Sequence, residues 1–128
     1  MDPLRFYGDT PTARITIRGP LGERDVQATI DTGAFKSLIP LSLCTKLGLR
    51  PKEFRDVRGV SEKEVRVEIF WADVIFQGRK AADTVVGFNL PVGARPKEHE
   101  KSLIGRDVLK QHKLLVDFKA GAIGIEDC

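Results

Sequence analysis

Apolar residues alternate with polar ones through "ARITIRG" and again through "RDVQATI", and the turn-forming run "GPLGE" separates them. A period of two sends successive side chains to opposite faces, so each run reads as a half-buried strand. Ile15 and Ile17 share one face of the first, and Val26, Ala28 and Ile30 share one face of the second. Residues 13–30 are therefore expected to form a β-hairpin. The same grammar recurs. "EFRDVRGVSEKEVRVEIFW" reads as a second hairpin, with its turn over residues 59–63 and Val65, Val67, Ile69 and Trp71 alternating after it. "ADVIF", "QGRK" and "AADTVVGF" read as a third, turning at Gly78, and "KLLVDF", "KAG" and "AIGIED" as the last. "SLIP" looks like a short, fully buried strand. Only "LSLCTKLGL", stopped by Gly48, and "RDVLKQH", with Val108 and Leu109 inward, look helical. Many short strands and tight turns predict an all-β, closed barrel-like or bent-sheet fold with one or two short helices.

The chain of 128 residues and 14.2 kDa is expected to be one compact domain over residues 1–128. Hydrophobic residues at 41% and charged residues at 30% exclude the disordered class. The net charge of +3 comes from dispersed basic residues, with acids interleaved over residues 53–68. A nucleic-acid surface would need a denser basic run with aromatics, so no nucleic-acid partner is expected. Cys44 sits in an apolar stretch and reads as a core thiol, whereas Cys128 is terminal. No Cys/His pattern has zinc spacing, and neither a metal nor another cofactor is expected. No window is apolar enough to cross a membrane and the N-terminus lacks a signal core, so a cytoplasmic protein is expected.

The stretch "ATIDTGAFKSLIP" carries the chemistry. Asp31 ends the alternating strand Val26-Ala28-Ile30 and is followed by Ala34 and the buried-looking Leu38-Ile39. Asp, Thr and Gly also suit an ordinary strand-ending turn. A turn enclosed by two apolar strands lies inside, however, and an ionised Asp there needs compensation. About seventy residues on comes "SLIGRDVL": two bulky apolar residues, a glycine, then a helical start.

"TIDTGAFKSLI", the Gly-centred hairpin "VRGVSEKEVRV", "LIGRDVL" and "LLVDFKAGAIGI" stand in the order found in retropepsin-like aspartic proteases, which the chain resembles over residues 13–126. The C-terminal "LIGRDVLKQHKLLVDF" is most similar to the DNA-damage-inducible ubiquitin-shuttle proteins and their bacterial relatives. The resemblance implies a catalytic Asp31 and a Thr32 hydroxyl that locks two catalytic loops together across a dimer axis. It implies that Gly33 lets substrate backbone pass close, with Ala34 supporting the loop. It places the flap at Arg58, Gly59, Val60 and Ser61. Leu103, Ile104 and Gly105 correspond to the segment beneath the loop, with Phe35, Leu103 and Ile104 as pocket residues. Gly105, Arg106 and Asp107 are the implied packing residues.

One carboxylate cannot act as both the base that activates water and the acid that protonates the leaving group. Two carboxylates a few ångströms apart share a proton and divide those roles. The chain carries Asp-Thr-Gly once, so a homodimer is implied, with an extended peptide or protein as substrate. The rival readings are a non-catalytic dimerisation or peptide-binding module of the same fold and, more weakly, a nucleic-acid-binding barrel. Residues 4–7 and 122–126 are candidates for an interface sheet, with Ile123 and Ile125 toward the core.

The chain departs in two places, a less glycine-rich flap with Ser61 and Glu62 after Gly59 and the loss of an acid found in retroviral members. There an acid after Asp-Thr-Gly-Ala pairs with the Arg of Gly-Arg, and here Phe35 and Lys36 take its position. Arg106 is left to pair with Asp107 or a substrate carboxylate. Asp107 otherwise reads as a first-turn helix acid, His112 as a helix-terminus residue, and His99 as exposed. Asp56 and Asp73 are expected to face solvent and Trp71 to be core. Lys36, Arg55 and Arg58 are expected on a solvated face.

Overall fold

In the computed structural model, which describes residues 4–58, 64–90 and 93–127, strands carry the chain from end to end. In order they are β1 (Leu4–Tyr7), β2 (Thr10–Gly19), β3 (Gly22–Ile30), β4 (Leu38–Pro40), β5 (Arg50–Arg58), β6 (Glu64–Phe76), β7 (Arg79–Phe88), β8 (Leu103–Ile104), β9 (His112–Asp117) and β10 (Ala122–Asp127). Helix α1 (Leu41–Lys46) follows β4, and α2 (Arg106–Leu109) follows β8. Among the described residues no helix is long and apolar enough to cross a membrane.

The first hairpin forms as its alternation predicts. Ala13 pairs with Ala28 and Ile15 with Val26, all on the buried face. Eight strands make one sheet in the order β1-β2-β3-β8-β4-β7-β6-β5, and β2 pairs again with β6 at Thr16–Ile75 and Ile17–Val74. That second pairing closes the sheet into a ring around Ile15, Ile17, Ile39, Val74, Phe76 and Ile104. Burying each such side chain contributes about 1.5–3 kcal/mol. The β9–β10 hairpin forms a separate sheet and rests on this core through Leu114, Ile123 and Ile125, as expected of the last two. Gly48 closes α1 at φ +65, where Leu21 already fills the space that a side chain would need.

Several expectations are corrected. The second and third hairpins share β6, one strand of 13 residues with register shifts between Trp71 and Ile75. Burial of the consecutive residues Ile69 and Phe70, one on each face, breaks the expected stripe. From Phe70 onward the core side chains are Phe70, Ala72, Val74 and Phe76, so Trp71 is turned outward and 46% exposed, with the Lys52 ammonium over its ring. His99 is not exposed: it is 7% accessible and stacks on Tyr7 at 4.5 Å. His112 opens β9 instead of ending a helix, and packs edge-on against Phe76. Cys44 is a buried core thiol, as expected.

Candidate active site

The loop between β3 and β4 leaves the sheet at Asp31. The two strands diverge there, and β8 fills the gap. It runs parallel to β3, with Thr29 opposite Leu103 and Ile30 opposite Ile104, and antiparallel to β4, with Leu38 opposite Leu103. The Asp31 N–H donates to the Ile104 carbonyl at 2.9 Å, so the acid is backed by chain seventy residues away. The Gly33 N–H donates to Asp31 Oδ1 at 2.9 Å, and the Ala34 N–H donates to the Asp31 carbonyl at 3.2 Å. Together these bonds orient a half-buried carboxylate in a loop where Thr32 and Gly33 are exposed.

A polar brace lies behind the loop, and sequence reasoning missed its key member. Ser37 is fully buried. Its N–H and its hydroxyl both donate to Asp107 Oδ1 at 2.9 Å, and its Oγ accepts from the Gly105 N–H at 3.0 Å. Asp107 Oδ1 also accepts from the Val108 N–H, so this first-turn acid both caps α2 and clamps the loop. A serine directly before "LIP" was the available signal, but its partners lie 68 and 70 residues on. The Arg106 N–H donates to the Ala34 carbonyl at 2.8 Å. A Cβ at Gly105 would stand 2.6 Å from the Lys36 carbonyl carbon and 2.9 Å from the Ala34 oxygen, so only glycine fits.

Beside the loop is a groove of about 320 Å³. Gly33, Ala34, Phe35 and Lys36 form one side, and Leu38, Val86 and Leu103 form its sheet wall. Val67 of β6 and Arg106 of α2 complete the lining. Phe35 and Leu103 line this groove, whereas Ile104 is wholly buried and supports the loop through its carbonyl. Arg106 is exposed and forms no ion pair with Asp107. Lys36 is not simply solvated, because its ammonium donates to Thr84 Oγ1 at 2.8 Å. The Arg55 guanidinium lies 6.0 Å from the centre of the Phe35 ring. β5 and β6 pair as far as Arg58 and Glu64, and Val67 of this pair lines the groove. The expected flap tip, Gly59, Val60 and Ser61, lies outside the described residues, as does the side chain of Arg58.

A larger groove of about 470 Å³, between Arg18, Arg50, Trp71 and Lys80, shares no lining residue with the Asp31 loop. Among the described residues no group of three or more His, Cys, Asp or Glu side chains is gathered to hold a metal ion.

The backbone as a whole is similar to that of a solved protein. The chain matches the EIAV protease complexed with the inhibitor HBY-793 at a TM-score of 0.59 and 19% identity, over 79% of this chain and 86% of that one. The fold is retropepsin-like. At that identity the likeness is one of backbone. No protein-family profile matches the chain, and no curated protein matches it.

Proposed function

We propose that the chain is one half of an aspartic endopeptidase, in which the Asp31 carboxylates of two copies meet at a two-fold axis. The observation that carries this reading is an aspartate whose carboxylate accepts from the Gly33 N–H and whose backbone N–H donates to Ile104, beside a groove on a retropepsin-like fold. In the dimer the two carboxylates share one proton. The ionised one takes a proton from water as that water attacks the peptide carbonyl. The protonated one donates to the carbonyl oxygen, and a proton then passes to the leaving nitrogen. Thr32 and Gly33 are exposed in the single chain, and so free to serve the partner loop and the substrate backbone. Leu115 and Phe118, each 65% exposed on the β9–β10 hairpin, with Phe118 edge-on to Phe6 of β1, leave an apolar patch beside the terminal strands for the partner. Within this class the C-terminal stretch "LIGRDVLKQHKLLVDF" resembles the ubiquitin-shuttle group.

The test is cleavage of a denatured protein or peptide library by wild type and Asp31→Asn, with sedimentation to fix oligomeric state. The expected result is cleavage by a wild-type dimer and a loss of at least about a thousandfold in the variant. Equal activity of the two proteins would refute the reading. A dimer inert from acid to neutral pH would leave a peptide-binding module in its place.

A further inference from the structure

We infer that the groove beside Asp31 selects peptides carrying an acidic side chain two residues from an apolar one, and that Lys36 and Arg106 are the residues that select it. The inference rests on the proposal that this groove holds substrate. Among the described residues two cations line it, Lys36 and Arg106, and no acid does. Among those residues the side-chain partner of Lys36 is the neutral hydroxyl of Thr84, which orients the ammonium without neutralising it. Arg106 is anchored by its backbone to Ala34, while its guanidinium is exposed and has no ion pair among the described residues. Arg55, near the Phe35 ring, adds a third positive group on β5.

Several neighbouring carboxylates are otherwise engaged. Asp107 Oδ1 is taken by Ser37 and Val108, while its Oδ2 is buried away from the groove's solvent and has no hydrogen-bond partner among the described residues. Asp56 pairs with Arg66, Glu53 with Lys52, and Asp31 Oδ1 accepts from Gly33. The sheet wall of Leu38, Val86 and Leu103 takes an apolar side chain, and the cations at its margin then face the next side chain but one along an extended peptide. A carboxylate there receives charge-assisted hydrogen bonds, in a site screened from water by the bound peptide itself. A lysine or arginine there is repelled.

The experiment scans Glu against Gln through the positions flanking an apolar centre in otherwise identical fluorescent octapeptides. Binding to Asp31→Asn protein is read by anisotropy at low and at moderate salt. At one or two positions the Glu peptide is expected to bind about tenfold more tightly than its Gln twin, the size of one charge-assisted bond. Added salt should shrink the difference. Lys36→Met with Arg106→Gln, checked for folding by circular dichroism, should level it, and Arg106→Glu should turn the preference toward Lys. Equal binding of Glu and Gln peptides at every position overturns the inference, with no variant needed. So does a preference that survives removal of both cations. Cleavage by wild type without a Glu preference would remove this inference alone, whereas Glu-selective binding without cleavage would remove the protease reading alone.

Discussion

Ser37 is the side chain on which the geometry of Asp31 depends, although it carries no chemistry itself. It joins the loop to Gly105 and Asp107 through bonds that no water can replace at full burial. Ser37→Ala should lower unfolding free energy by about 2 kcal/mol, measured by urea titration. Because Ser37 and Asp107 share one bond set, Ser37→Ala with Asp107→Ala should cost less than the sum of the single changes. Gly105→Ala would drive a methyl into the Lys36 backbone and should fail to accumulate as folded protein. Cys44 gives a pH dependence. Burial raises its thiol from 9.0 to about 11, so the folded state holds the proton longer than the unfolded one. Its contribution is intact below pH 9 and is lost as pH rises towards 11. A melting temperature that falls over that window, and falls less in Cys44→Ala, is the expected outcome.

Among the elements, β6 does two jobs along its 13 residues. Its first half pairs with β5 and brings Val67 to the groove, and its second half closes the ring against β2. The core face changes at the consecutive buried pair Ile69 and Phe70, which leaves Trp71 turned to solvent. Trp71 is the sole tryptophan, so native fluorescence should be quenchable by acrylamide and its emission should shift little on unfolding. The β6–β7 turn uses Gln77 at φ 54 followed by Gly78 at φ 77, a mirror-image turn that suits the strand twist. Gln77→Asn should stabilise the fold by about 0.5 kcal/mol in the same urea assay, since Asn tolerates positive φ better.

For the whole molecule, the proposed function makes activity a property of pairs. Activity per chain should rise with concentration through the dimerisation range. Mixing wild type with an equal amount of Asp31→Asn chains should leave about a quarter of dimers with two intact carboxylates, if exchange is free. Activity that merely halves would mean that each chain works alone.

The hairpins were legible in the sequence because they are local: alternation sets the buried face, and turn residues such as Gly78 set the reversal. Asp31 and Gly33 were legible for the same reason, since their bond spans two residues. The sequence alone thus determined an all-β chain with one acid at a strand-ending turn, whereas the nearness of Lys36 and Arg106 in one groove is a result of the fold. Only the tertiary structure decided that β2 meets β6 to close the ring, that β8 enters between β3 and β4, and that Ser37 reaches Asp107. It also decided that Trp71 faces out and His99 in. Each of these is set by competition for burial and hydrogen bonds between segments far apart in the chain, and no local pattern records which distant partner prevails.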